Sequence, residues 1–271
     1  MKNVIFVGSF YPKGMQEELL NIGSAVDFAG HTFQTALLDG LDHFYPYIKV
    51  ISSALTSSYP KAKKLNFKKH LFSHNGKKEK KDIYVGAFNI PLFKLFSKFI
   101  RVKSELKKSL KKDEENVVIV YSTHSPFLLA AHLLRKRISK LCVVVPDLPE
   151  FMGSKPTGIK AWLKRMDQKL INKCLSKFDG FALLSPYMKE KLPVGNKPWL
   201  QFEGIYQIPD SQKEDIQKEK NRTIMYTGNI YRKRGVDMLL EAFSQIEHPN
   251  YRLWIRGNGD LKQTIIEMSK T

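Results

Sequence analysis

Tyr226-Thr227-Gly228-Asn229-Ile230-Tyr231-Arg232-Lys233-Arg234-Gly235 is the stretch on which the fold turns. The run Thr223–Tyr226 leading into Gly228 is β-rich. A short basic loop then reaches Gly235, and Val236, Leu239, Leu240 and Phe243 follow on one face of a helix pattern. A strand, a glycine turn and a helix start together make an anion site, because backbone N–H groups and the helix dipole point at the ligand. Arg232, Lys233 and Arg234 add formal charge, so a diphosphate is the natural guest. The same residues also suit a solvated basic β–α loop. Further on, Tyr251–Ile255 reads as a second strand that runs into Gly257-Asn258-Gly259.

This order of Tyr-Thr-Gly, a seven-residue step to the next glycine, Leu-Leu-Glu-Ala-Phe, a strand and Gly-x-Gly resembles family 4 (group 1) glycosyltransferases. The likeness is to the opening of their C-terminal, nucleotide-sugar-binding domain. It implies a retaining enzyme of the GT-B fold, of hexosyltransferase and polysaccharide-biosynthesis type. It also implies a nucleotide-sugar co-substrate and no separate cofactor. The family's loop, Gly-Arg-x-x-x-x-Lys-Gly, holds the donor diphosphate with its Arg and Lys. Here those places fall on Gly228, Asn229, Arg234 and Gly235, and Arg232 stands in for the charge missing at Asn229. The implied donor-binding set is Gly228, Asn229, Arg232, Arg234 and Gly257.

The rest of the chain reads as α/β. Strand candidates are Val4–Val7, Ile48–Ser52, Ile83–Val85, Val117–Tyr121, Leu141–Val145, Gly180–Leu184 and Trp199–Phe202, besides the two above. Helix patterns cover Gly30–Leu41, Leu92–Lys111, Pro126–Ile138, Gly158–Lys177 and Tyr187–Leu192. Continuous Val/Ile strands separated by helices argue for a parallel sheet covered on both faces. Residues 209–221 are polar and lack apolar periodicity. The expected organisation is a Rossmann-like acceptor-side domain over 1–208, a linker over 209–221 and a second Rossmann-like domain over 222–271. In such an arrangement the carboxyl ends of the strands face a shared cleft. The second domain holds only strand–helix–strand–helix, without the third strand and paired-glutamate segment of the family. A truncated glycosyltransferase with little activity of its own is the expectation.

In the first domain, Tyr121-Ser122-Thr123-His124-Ser125-Pro126 ends a buried strand and starts a helix. Family members often carry a histidine there beside the transferred sugar, which makes His124 the catalytic-site candidate. A histidine capping a helix N-terminus is the plain alternative. Asp147 and Glu150, in Pro146-Asp147-Leu148-Pro149-Glu150, are candidates for acceptor hydroxyls, or Asp147 caps a turn. Ser9 to Gly30 reads as a long glycine-bearing loop. The resemblance places such a loop, with Gly30, beside the acceptor. Its spacing does not fit a nicotinamide-type Gly-x-Gly-x-x-Gly.

The net charge of +19 predicts phosphate-rich partners: nucleotide, lipid phosphate, anionic lipid or nucleic acid. Nucleic acid is disfavoured, because the lysines are not tied to an aromatic stacking motif. A non-catalytic phosphate- or nucleic-acid-binding protein is the alternative reading. Lys61 to Lys81 holds nine lysines and one acid. Leu92 to Lys103 is amphipathic, with Phe93, Phe96 and Phe99 and a cationic rim. It suits an anionic leaflet or, equally, a core-facing helix with its lysines in water. Trp162, with Lys160, Lys164 and Arg165, suits the same surface. No run approaches the ~18 apolar residues of a spanning helix. Cys142 and Cys174 lie in apolar segments and read as buried thiols, not a disulfide or metal pair. Metal and hydrolase motifs are missing. A cytoplasmic protein, peripheral on the inner face of the cell membrane, acting on a lipid-linked or glycan acceptor, is the resulting expectation.

Overall fold

The computed structural model describes residues 2–77, 81–91, 93–151, 157–205 and 221–268. The chain forms two compact units, Met1–Gln207 and Ile208–Thr271. Apart from Asn221, the expected linker lies outside the described residues.

The first unit opens with β1 (Lys2–Gly8), α1 (Met15–Asn21), α2 (Phe28–Phe44) and β2 (Ile48–Ser52). Four short strands follow: β3 (Asn66–Phe67), β4 (His70–Phe72), β5 (Asp82–Tyr84) and β6 (Ala87–Phe88). Then come α3 (Phe93–Ser109), β7 (Glu115–Tyr121), α4 (Ser125–Leu133) and β8 (Lys140–Val145). The unit closes with α5 (Gly158–Leu175), β9 (Gly180–Leu183), α6 (Met188–Lys191) and β10 (Trp199–Gln201). Eight strands form one sheet in the order β10-β9-β8-β7-β1-β2-β5-β4. Every neighbouring pair is parallel except β4 with β5. β3 and β6 make a separate antiparallel pair.

Side chains alternate across the sheet, as the strand repeat of two requires. Ile5, Val7, Val118 and Val120 face a core built with Val102 and Leu106 of α3, Phe127 and Leu128 of α4, and Ile171 and Leu175 of α5. Val4, Phe6 and Val50 face the other way, against Met15 and Leu19 of α1 and Leu38 of α2. Because these strands are covered on both faces, they are apolar throughout rather than alternating. From β1 the chain moves to β2, then to the β5–β4 edge. It returns through α3 to β7 on the opposite side of β1. The direction of winding therefore reverses between β1 and β7, the place where open α/β sheets bind ligands at their carboxyl ends.

Each strand expectation coincides with a strand to within two residues at either end. Two readings need correction, and the lysine tract gains strands. The stretch Ser9–Gly30 is not one loop: it contains α1, bracketed by Gly14 (φ 80°) and Gly23 (φ 77°), whose left-handed conformations start and end the helix. The lysine-rich tract carries β3 and β4. Cys142 is only partly buried, whereas Cys174 is buried; both thiols are free, and burial pushes both pKa values up, Cys174 to about 11.

The second unit holds β11 (Arg222–Thr227), α7 (Val236–Ser244), β12 (Tyr251–Arg256) and α8 (Lys262–Met268). β11 and β12 pair in parallel, and Ile230, Val236 and Leu261 form a small core with Tyr226, Ile255 and Ile265.

Candidate functional site

In the second unit the chain leaves the carboxyl end of β11 at Gly228. Its backbone N–H donates to Arg256 O (3.0 Å), and that of Ile230 donates to Asn258 O (2.9 Å). The loop is thereby laid along the Gly257–Gly259 turn. The contact is so close that a Cβ on Gly257 would sit 1.8 Å from Gly228 O, and one on Gly259 would sit 2.1 Å from Ile230 O. Gly257 therefore seats the loop; a side chain there would displace it. Tyr226 Oη donates to Asn229 O (2.8 Å), fixing the next turn. Arg232–Arg234 form one turn of 3-10 helix, and Gly235 (φ 73°) redirects the chain into α7. Asn229, Arg232 and Arg234 are exposed. Arg232 meets Asp237 at 3.3 Å, a solvent-exposed pair weak enough for an anion to displace. Arg234 makes no ion pair among the described residues. Tyr231, Arg232, Lys233 and Asp260 line an open recess beside the loop. Three cations beside a helix start suit a diphosphate.

In the first unit, the loops after β1 and β7 meet at the reversal point. Ser9 N–H donates to Gln34 Oε1 (2.9 Å), and Gln34 Nε2 lies within reach of Ser9 Oγ (3.2 Å) and Gly30 O (3.0 Å). Gly30 sits in the first turn of α2, where its N–H donates to Asp27 Oδ1 (2.9 Å). That N–H, the group an acceptor would use, is already engaged. Ser122, the residue after β7, has φ 73°, a conformation that costs a non-glycine residue energy and clusters at ligand sites. His124 follows as the residue before α4, with no capping bond from its side chain, so the plain capping alternative does not hold. Its ring packs edge-on against Phe127 (4.9 Å), and its Nε2 is buried without a partner. Burial, helped by the charges of Lys98 and Lys94, holds its pKa well below the usual histidine value. His124 is thus a neutral imidazole, suited to a hydroxyl rather than to ion pairing. Asp147 and Glu150 are exposed on the loop after β8, and Glu150 O accepts from Lys164 Nζ (3.3 Å). The charges of Asp27 and Asp147, secondary to burial, help to raise the Tyr121 phenol pKa, so Asp147 lies towards the carboxyl end of β7.

α3 meets the core-facing alternative only in part: Val102 packs in the core, but the start of the helix is turned the other way. Lys94 and Lys98, at 8% and 2% exposure, point into the molecule, while Phe93 (65%), Phe96 (59%), Leu95 and Ile100 are exposed. Phe99 packs on the core. Lys98 Nζ donates to Ala54 O (2.6 Å) and Lys94 Nζ to Thr56 O, so both stems are drawn beneath the segment after β2. α5 repeats the pattern at its start, where Ile159, Trp162, Leu163 and Met166 are exposed. Sequence reasoning missed Lys94, Lys98 and Gln34; among so many lysines, nothing in spacing marks the two that are buried.

Parallel α/β strands with ligand-type loops at their carboxyl ends define a Rossmann-like architecture of the kind seen in GT-B proteins. Residues 208–271, the span of the second unit, match the family model of glycosyl transferases group 1. By that match the second unit is similar to group 1 glycosyl transferases, which supports glycosyl transfer as the chemistry. No curated protein gives a significant match to the chain. Among the described residues no cluster of His, Cys, Asp and Glu suits a metal ion, and no helix is long and apolar enough to cross a membrane.

Proposed function

We propose that the chain is a retaining hexosyltransferase that moves a sugar from a nucleoside-diphosphate donor to a lipid-linked glycan at the inner face of the cell membrane, in polysaccharide biosynthesis. The observation that carries the reading is the loop Gly228–Gly235. It lies within the residues matching the group 1 family, and it is pressed onto Gly257 so that Arg232 and Arg234 stand exposed beside the start of α7. In this reading the two arginines neutralise the donor diphosphate. Neutral His124 holds a sugar hydroxyl, and Asp147 and Glu150 bind acceptor hydroxyls. Retaining transfer assigns no carboxylate a nucleophilic role here. The nucleotide sugar is a co-substrate.

Membrane association is supported by α3. Its outward face is apolar at the start, with Phe93, Phe96 and Ile100, and carries Lys103, Lys107 and Lys108 further on. That combination of exposed aromatics and a cationic flank fits an anionic headgroup layer, towards which a charge of +19 is drawn.

The test is calorimetric titration of nucleotide sugars and nucleoside diphosphates into the full chain. At least one nucleotide sugar is expected to bind, together with its nucleoside diphosphate, while transfer of its sugar to a lipid extract by this chain alone is expected to be slight. Failure of every nucleotide sugar and nucleoside diphosphate to bind would overturn the reading.

A further inference from the structure

The first unit buries two cations that no part of the fold described so far uses. Lys94 and Lys98 lie one turn apart on the inward face of α3. Each ammonium has three protons and spends one on a backbone carbonyl, Thr56 O or Ala54 O. No carboxylate among the described residues pairs with either or acts on it: the influences on Lys98 are burial and Lys94, and that on Lys94 is burial alone. Buried charges are ordinarily paired, and an unpaired one is costly. Their charges also reach His124, whose buried Nε2 lacks a partner, while the Ser53 hydroxyl beside Ala54 is buried and unpartnered as well. Unspent donors, uncompensated positive charge and an orphaned ring nitrogen thus converge at the carboxyl ends of β2 and β7. Lys94 keeps 8% exposure against 2% for Lys98, and His124 is partly exposed as a residue although its Nε2 is buried, so these two stand nearer the surface than Lys98.

The geometry points to a phosphate-binding subsite formed by Lys94, Lys98 and His124, which receives the phosphate group of the membrane-anchored acceptor. This rests on the transferase reading for the word acceptor, while the anion site itself does not. The other face of the same helix turn carries Phe93 and Phe96. A helix start held at the headgroup layer by those side chains would keep the phosphate of a membrane-anchored acceptor close to the turn that carries the lysines. Burial lowers the pKa of Lys98 to about 7 and that of Lys94 to about 8. A bound anion would reverse this and draw protons onto both amines, so binding near pH 8 should take up protons.

The test uses the full chain carrying Arg232→Ala and Arg234→Ala, which silences the loop of the second unit. Inorganic pyrophosphate is titrated by calorimetry in buffers of different ionisation enthalpy. Binding with proton uptake is expected in this background, at least tenfold weaker once Lys98→Met is added. Should Lys98→Met fail to fold, Lys94→Gln carries the same test. In the wild type, phosphatidylcholine vesicles with a polyprenyl phosphate are expected to bind more tightly than vesicles of equal charge made with phosphatidylglycerol, and Lys98→Met should erase the difference. Unchanged pyrophosphate affinity in the lysine variants would overturn the proposal. So would equal preference for the two vesicle types, or a loss confined to UDP and GDP binding, which would assign the lysines to the donor. If wild-type protein bound pyrophosphate through the lysines but no nucleoside diphosphate, the subsite would stand and the transferase reading would fall.

Discussion

Replacing Phe93 and Phe96 of α3 by Ser tests the membrane reading without touching the core. The two rings are 65% and 59% exposed, so the fold gives up little when they are lost. Complete burial of such a side chain contributes about 1.5–3 kcal/mol. Moving roughly three-fifths of each ring from water into the acyl boundary is then worth about 1–2 kcal/mol, or about 2–4 kcal/mol for the pair. At about 1.4 kcal/mol per decade, the vesicle partition constant should fall between roughly 25- and 700-fold. The lysine contribution, about 1 kcal/mol per residue near an anionic surface, remains. Residual binding of the variant should therefore be steeply salt-dependent, and wild-type binding less so. The assay is co-sedimentation with phosphatidylglycerol-containing vesicles at low and high salt, beside thermal unfolding of both proteins. Equal vesicle binding by the two proteins would refute the reasoning. A fall in unfolding temperature matching the loss of binding would show that the face is packed against protein in solution.

Two further outcomes follow from local geometry. Gly257→Ala places a methyl group where Gly228 O now lies, 1.8 Å from the new carbon, so the loop must move by more than 1 Å. Nucleoside-diphosphate affinity, read by calorimetry, is expected to fall at least tenfold with little change in far-UV circular dichroism; an unchanged affinity would remove the loop from the donor site. His74 bridges Asp82 (2.8 Å) and Asp42 (3.1 Å), joining β5 to the end of α2. Burial alone would lower its pKa, but the Asp82 hydrogen bond and the two carboxylate charges outweigh burial and raise it. A raised folded pKa adds stability below the unfolded value of about 6.5, and that stability is lost as pH climbs through the folded value. The gap in unfolding temperature between wild type and His74→Gln should be widest near pH 6 and narrow on the alkaline side. A gap independent of pH would contradict the bridged imidazolium.

Much of the architecture was legible because the central strands are short, unbroken Val/Ile runs, the pattern that burial on both faces requires. The two- and three-residue strands β3, β4 and β6 were not, since such lengths carry no period, and β3 and β4 also sit among lysines whose local preference is against strand. α1 was hidden by its own punctuation: Gly14 and Gly23 read as loop residues, yet they stand at the two ends of a helix. For α3 the amphipathic period was visible but its orientation was not. A periodic pattern says that two faces differ; in the folded chain the face with Lys94, Lys98, Val102 and Leu106 turns inward, its lysine heads bonded to the Thr56 and Ala54 carbonyls. The loop Gly228–Gly235 was readable because glycines, charges and a helix start follow one another in sequence. Gln34 and the lysine pair belong to a site assembled across the sheet, from segments that lie far apart along the chain.

The central claim is that the Gly228–Gly235 loop holds the diphosphate of a nucleotide-sugar donor. Calorimetric titration of UDP and GDP into the full chain and its Arg234→Ala variant tests it most directly. One of the two nucleotides is expected to bind the wild type, and loss of a charge-assisted contact worth about 1.5–3 kcal/mol should weaken it roughly 10- to 150-fold in the variant. Equal affinity in the two proteins, or no binding of either nucleotide to the wild type, would contradict the account.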